Sequence, residues 1–207
     1  KTAEMHMGGE GHQFHAMDFL VYAYLQSGRE ADAKKVIDEV TAMKPMPDMY
    51  GMGFDPRTSA LVEFSARHVL ELHQWSEAAN LPQVKGAAEG DSSVTYLARA
   101  IGAAHVGEVA EIKADLDQIQ TIHKHLLEKN KTEFAKAVDD DRMIAAAWLN
   151  YAQGKKQEAV TELQEVAARQ EAEAAEPGGI PPREMAADIL LELKQPEKAL
   201  QEYQTDL

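Results

Sequence analysis

Histidines and a carboxylate cluster near the start of the 207-residue chain, in the segment EMHMGGEGHQFHAMDF. If the chain is already helical at His12, then His15 at i+3 lies on the same face and Asp18 follows one step further along it. Two imidazoles and a carboxylate form a ligand set for zinc or another divalent ion. Zinc-binding helices more often carry H-x3-H, and the sequence lacks an H-E-x-x-H motif, so an incidental cluster is the competing interpretation.

Methionines recur at every third position in the segment MKPMPDMYGMGF, at Met43, Met46, Met49 and Met52. Thioethers are soft ligands, so this pattern would suit copper(I). Methionine also fills irregular gaps beside a helical core, and the prolines and glycines of this segment favour a loop that does so. Metal binding by the histidines or by these methionines is therefore one hypothesis for function.

Common catalytic and nucleotide-binding motifs are absent from the sequence. It contains no G-x-S-x-G, no phosphate-binding loop and no G-x-G-x-x-G. It contains no cysteine, which excludes disulfides, thiolate zinc sites and cysteine nucleophiles. The acidic run from Asp139 to Asp141 predicts a solvated helix segment. We therefore expect a protein that is not an enzyme and has no cofactor.

The chain is strongly acidic, with 35 acidic and 21 basic residues and a formal charge of -14. This charge disfavours nonspecific attraction to nucleic acid or to an anionic membrane surface. The longest apolar run, Phe19 to Leu25, is far shorter than the roughly 20 residues of a membrane-spanning helix. We expect neither nucleic-acid binding nor membrane insertion.

The chain begins at Lys1 without an initiator methionine, so an upstream segment is expected. A second hypothesis for function follows, in which these residues are the C-terminal structural module of a longer protein. Cytoplasm and periplasm both stay open, because the lack of cysteine is compatible with either compartment. The sequence does not fix the oligomeric state.

Helical periodicity is clearest in HAMDFLVYAYLQSGREADAKKVIDEVTAMKP, where apolar residues fall at i, i+3, i+4 and i+7 on each side of Gly28. The first stripe is Met17, Leu20, Val21 and Tyr24, and the second is Ala33, Val36, Ile37 and Val40. Pro45 ends the second helix because proline cannot extend a helix from within. Two short amphipathic helices joined by a tight turn bury their stripes against each other and against a neighbouring pair.

The same phrase, an apolar helix, a break and a second helix, recurs five times along the chain. The breaks fall at Gly28, His73, Gly107, Gly154 and Lys194, at spacings of 45, 34, 47 and 40 residues. No window alternates like a strand. The sequence thus predicts a single all-α domain over residues 1–207, with a flexible segment at 1–11 and helix pairs at about 12–44, 58–82, 93–130, 132–176 and 182–205.

The first phrase resembles the tetratricopeptide motif, W-x2-L-G-x2-Y followed by A-x3-F and P. The residues at its spacing are Met17, Leu20, Val21, Tyr24, Ala33, Ile37 and Pro45, of which Leu, Tyr, Ala and Pro match. Ala159 with Leu163, and Ala199 with Tyr203, repeat the A-x3 step. The resemblance, shared with bacterial proteins of this family, implies a right-handed solenoid of about five antiparallel helix pairs. A HEAT-like relative is the structural alternative, because a single spacing equals the usual 34 residues.

The resemblance also implies that the first helix of each pair lines a groove that holds a peptide or another protein. The residues expected to bind this partner are Asp18, Tyr22, Glu63, Arg67, Glu71, Trp148, Tyr151 and Asp188, with His15, Glu184 and Glu192 on the same face. This acidic face with aromatic anchors would suit a basic or amphipathic segment. The alternative for the two aromatic residues is burial between neighbouring helices.

Overall fold

The structure is a computed structural model that describes residues 10–46, 55–173 and 179–206. Within these ranges the chain is all-helical, as the sequence predicts. The ten helices are α1 (Glu10–Gln26), α2 (Glu30–Ala42), α3 (Pro56–Glu71), α4 (Trp75–Ala79), α5 (Glu89–Val106), α6 (Val109–Glu128), α7 (Thr132–Ala152), α8 (Lys156–Ala172), α9 (Pro182–Glu192) and α10 (Pro196–Asp206). Among the described residues, no helix combines the length and the apolar composition that crossing a membrane requires.

The helices fall at the five predicted pairs, with bounds that differ from the predicted ones by up to four residues. The start of α5 shows one such difference. Ala88 is extended and the helix begins at Glu89, so Gly90 lies inside the first turn rather than in a loop. Glu89 and Asp91 occupy this turn, where negative side chains stabilise the positive end of the helix dipole.

Each predicted break is a left-handed turn. Gly28, Gly107 and Gly154 have φ of 69°, 85° and 83°, and His73 and Lys194 have φ of 52° and 59°. In all five turns, the N–H that follows the left-handed residue donates to a carbonyl five positions earlier, which is the Schellman pattern that closes a helix end. Local backbone conformation and hydrogen bonding therefore determine where the first helix of each pair ends.

Each helix packs against the next one along the chain, and α3 also packs against both α1 and α5, and α5 against α7. The buried apolar residues form two clusters that meet within α3. The first joins α1 and α2 to Ala60 and Phe64 of α3. The second runs from Ala66 of α3 to Ala199 of α10. The described residues thus form one large apolar core and a smaller one at the amino-terminal end.

The first helix buries a narrower stripe than the periodicity predicts. Phe14, Met17, Val21 and Leu25 of α1 are buried, whereas Leu20 is 45% exposed. The prediction for Leu20 is wrong because α1 lies at the end of the row and packs against α2 and α3 on one side. The predicted stripe of α2 is buried throughout.

A glycine lets α4 approach α5 closely. A Cβ atom built on Gly102 of α5 would lie 2.6 Å from the carbonyl oxygen of Trp75, 2.8 Å from Cβ of Ala78 and closer still to the amide nitrogen of Ala79. Such distances leave no room for a side chain. The contact holds the short helix that begins at Trp75 against α5.

Candidate functional site

A cavity of about 360 Å³ opens where the carboxyl ends of α3, α5 and α9 meet, beside α7. Glu71 is the last residue of α3, Glu192 is the last residue of α9, and His105 is the last but one of α5. The volume falls in the range of about 300–1,000 Å³ that is usual for ligand pockets. Aromatic, aliphatic and carboxylate side chains all line it.

Five rings form a continuous aromatic ladder along this cavity. His73 stacks on Trp75 with ring centroids 4.8 Å apart, and Trp75 stacks on His105 at 3.8 Å with the planes only 8° apart. His105 then contacts Trp148 at 4.8 Å, and Trp148 meets Tyr151 edge-on at 4.9 Å. Each such pair contributes roughly 0.5–1.5 kcal/mol beyond burial. The ladder fixes the turn after α3 against α4, α5 and α7.

His73 occupies a position where glycine would be less strained. Its φ of 52° matches the left-handed turns that Gly28 and Gly107 make elsewhere. A non-glycine residue in this conformation costs about 1–2 kcal/mol. The stack of its ring on Trp75 offsets that cost. The side chain of His73 is thus part of the cavity wall.

His105 is neutral at physiological pH. Desolvation between its aromatic neighbours lowers its pKa to about 4, and the nearby His73 and Lys156 also lower it, whereas Glu192 acts in the opposite direction. Because its imidazole is neutral, His105 contributes no positive charge to balance the carboxylates of the cavity. The cavity therefore keeps its negative character near pH 7.

Replacing His105 with phenylalanine is expected to raise stability at pH 5 by about 1 kcal/mol while leaving it nearly unchanged at pH 8. The folded pKa lies below the unfolded value, so the stability that the neutral ring contributes is complete above about pH 6.5 and is lost as pH falls toward 4. Urea unfolding at both pH values measures the difference, with His123→Phe on α6 as control. An equal change at both pH values would contradict the prediction.

The floor of the cavity is apolar. Trp148 is only 3% exposed, and its Nε1–H donates to Sδ of Met185 at 3.4 Å. Ile101 and Ile189 complete the floor. Trp148 is thus packed between helices, as the burial interpretation expects, and it also lines the cavity, whereas its role in binding a partner stays a prediction.

The rim of the cavity carries carboxylates. Glu192 accepts hydrogen bonds from the hydroxyl of Tyr151 at 2.9 Å and from the ammonium of Lys156. Glu71 accepts one at 3.0 Å from the side-chain amide of Gln26. Asp188 accepts one from the hydroxyl of Tyr203, and Glu184 lines the same rim.

Two of these carboxylates stand where local helix energetics disfavour them. The carboxyl end of a helix carries a partial negative charge, so an acidic side chain in the last turn destabilises it by a few tenths to about 1 kcal/mol. Glu71 and Glu192 nevertheless end α3 and α9. Proteins tend to break such local rules at functional sites. The helix ends and the side chains together give the cavity a negative potential.

Four of the eight predicted partner-binding residues lie at this cavity. Glu71, Trp148 and Asp188 line it, and Tyr151 contacts its rim through Glu192. Glu184 and Glu192, which share the predicted face, line it as well.

The other four lie nearer to α1. Asp18 forms an ion pair with Arg67, and Tyr22 is 50% exposed. Glu63 is exposed overall, although its carboxyl group is partly desolvated. This desolvation, together with the charges of Asp18 and Asp91, raises the pKa of Glu63 to about 7.

Sequence reasoning misses most of the aromatic ladder. His73 is predicted only as a break between helices, and Trp75, His105 and Met185 carry no signal of a site in the sequence. The one local hint is a non-glycine residue at a position that three of the other four breaks give to glycine. The cavity forms because residues distant in sequence meet in space, so no single segment contains its pattern.

The predicted metal ligands do not converge. His12 is exposed, His15 meets Phe19 edge-on at 4.9 Å, and Asp18 pairs with Arg67. Among the described residues, no three histidine or carboxylate side chains are placed to hold one ion. Metal binding by His12, His15 and Asp18 stays a prediction without geometric support.

Half of the methionine cluster can be located. Met43 and Met46 are partly buried and pack against the first core cluster, as the gap-filling interpretation expects. Met49 and Met52 lie outside the described residues, as do residues 1–9 of the predicted flexible segment. Residues 10 and 11, which that segment also included, belong to α1.

The acidic run of α7 is not a solvated segment, so that prediction is wrong. Asp139 and Asp140 both form ion pairs with Arg169 of α8, and Asp141 accepts a hydrogen bond from Ser93 of α5. All three carboxylates are partly buried. Asp139 and Asp140 thus face α8, whereas Asp141 faces α5.

Comparison with known proteins adds no identity: no family model, no curated protein and no solved structure matches the chain.

Proposed function

We propose that the chain is a tetratricopeptide-like scaffold whose cavity binds a basic or amphipathic segment of another protein. The observation that carries this proposal is an apolar aromatic floor under a rim of four carboxylates, at converging helix carboxyl ends. An apolar side chain of the partner would enter the floor, and its basic residues would pair with the rim. Charged groups so placed set orientation and association rate, and the buried anchor supplies affinity.

The arrangement of helices supports the scaffold part of the proposal. Helix pairs recur with Schellman turns, and α1, α3, α5 and α7 are neighbours in that order. The motif positions Val21, Ala33 and Ile37 are buried, which is the role that the tetratricopeptide motif gives them. A solenoid leaves one edge of such a row open for ligands.

A short capped peptide of alternating leucine and arginine is expected to bind the cavity, with affinity that falls as salt rises. Both tryptophans of the chain, Trp75 and Trp148, line the cavity, so their fluorescence reports binding directly. Replacing Asp188 with lysine is expected to weaken binding by about tenfold or more.

The matched control for this experiment is Asp117→Lys, which makes the same charge change at an exposed position of α6. It should leave affinity within about twofold, because an exposed charge far from the cavity is screened. Salt-independent binding of a leucine and glutamate peptide of the same length would overturn the proposed function.

A further inference from the structure

Two of the rim carboxylates, Glu192 and Glu71, differ in the charge of their partners. Lys156 neutralises Glu192, with Tyr151 as a second donor. Glu71 instead accepts a hydrogen bond from the neutral amide of Gln26, through its Oε2 atom. The other carboxylate oxygen of Glu71, Oε1, can therefore accept a hydrogen bond from a cationic group of a ligand.

Glu71 also stands in an unfavourable environment for a carboxylate. It closes α3, next to the strained turn at His73, where the carbonyl end of the helix repels negative charge. Desolvation raises its pKa, although Arg67 and the hydrogen bond from Gln26 act in the opposite direction. A ligand cation would relieve this cost, so part of the binding free energy comes from the carboxylate itself.

We infer that Glu71 binds the guanidinium of an arginine whose neighbouring apolar side chain enters the floor beside Trp148 and Met185. This inference rests on the proposed function and names the chemistry of its ligand. A guanidinium fits better than an ammonium for two reasons. Its fork pairs with a carboxylate that is already oriented, and it is more weakly hydrated, so entry into a half-closed aromatic cavity costs less.

The ligand also has to match the size of the site. The cavity of about 360 Å³ has room for a large apolar side chain, and Glu71 lines it together with Trp148 and Met185. In an extended peptide, successive side chains point to opposite sides and lie about 3.3 Å apart along the chain, so a neighbouring arginine points away from the floor toward the rim. An apolar residue next to an arginine therefore satisfies both parts of the cavity.

The test uses the full chain and the capped leucine and arginine peptide, in which each arginine is replaced in turn by citrulline, its neutral isostere. Glu71→Gln is expected to weaken binding by about tenfold or more, the loss typical of a hydrogen bond to a charged group. With the unmodified chain, citrulline at one position of the peptide should weaken binding by about the same factor. With the Glu71→Gln variant, that citrulline peptide should bind as tightly as the arginine peptide does. Replacement of all arginines by lysine should weaken binding several-fold.

The matched control is Glu165→Gln, an exposed position of α8, which should bind as the unmodified chain does. Circular dichroism checks that each variant keeps its helix content. Unchanged affinity of Glu71→Gln, or equal affinity for the lysine peptide, would overturn the inference while leaving the proposed function intact. Failure of the unmodified chain to bind any basic peptide would overturn both.

Discussion

Replacing Gly102 with alanine is expected to destabilise the fold by about 3 kcal/mol, at the upper end of the usual cost of overpacking. The new Cβ would lie 2.6 Å from the carbonyl oxygen of Trp75 and close to the amide nitrogen of Ala79. These are backbone atoms, which cannot rotate away as the end of a long side chain can. The change therefore has to push α4 off α5.

Urea unfolding followed by circular dichroism measures this loss, and Gly90→Ala is the matched control in the same helix. A Cβ on Gly90 would meet Cδ1 of Phe134 at 3.9 Å, an ordinary contact, so this variant should gain up to about 1 kcal/mol from the helix preference of alanine. Opposite signs for the same chemical change would isolate the steric term. Equal stability of the two variants would contradict the close approach of α4 and α5.

The Gly102 variant also bears on the cavity, because α4 begins with Trp75. A displaced α4 would separate the stacked rings of Trp75 and His105, which lie 3.8 Å apart. Ring separation should change the fluorescence of the folded variant and weaken peptide binding. Gly102 is thus expected to affect both the stability of the fold and the proposed peptide binding.

The helix pairs could be predicted from sequence because their signals are local. Gly28, Gly107 and Gly154 each mark a left-handed turn that few other residues adopt without strain, and the apolar spacing on each side needs only one helix to be recognised. The exposed Leu20 escaped prediction because its environment depends on how many neighbours α1 has. The apolar periodicity of a helix shows which side chains could be buried, but it does not show whether another helix packs against them.

The cavity could be predicted only in part. Glu71 and Asp188 were accessible to sequence reasoning because the resemblance assigns the first helix of each pair to the groove. The stack of His73, Trp75 and His105 was not, because it joins the turn between α3 and α4 to the end of α5, and their separation in sequence tells nothing of their distance in space. The partners that make Glu71 and Glu192 different are likewise side chains from other helices.

Desolvated carboxyl groups are expected to give the chain an unusual pH dependence of stability. Desolvation raises the pKa of Asp141 to about 7, although the hydrogen bond from Ser93 acts in the opposite direction. Desolvation also raises the pKa of Asp115 to about 6, although Arg99 acts in the opposite direction. In the unfolded chain such groups ionise near pH 4. Between about pH 4 and pH 7 the folded state therefore holds protons that the unfolded state has released, and stability falls as pH rises through this window. His105 acts in the opposite direction below about pH 6.5, so the carboxyl contribution is clearest above that value.

Replacing Asp141 with asparagine is expected to raise stability at pH 8 by about 2 kcal/mol, after allowance for its partial exposure, and to change it little at pH 4.5. The asparagine side-chain oxygen can still accept the hydrogen bond from Ser93, so the substitution removes the desolvated charge and keeps the contact. Urea midpoints across this pH range measure the effect, and Asp117→Asn on the exposed face of α6 is the control that should follow the unmodified chain. A loss of stability at pH 8 would show that Asp141 is needed as a carboxylate. A gain there would mean that packing stabilises the contact between α5 and α7 and that the charge of Asp141 destabilises it. These are the two helices that bring His105 and Trp148 together.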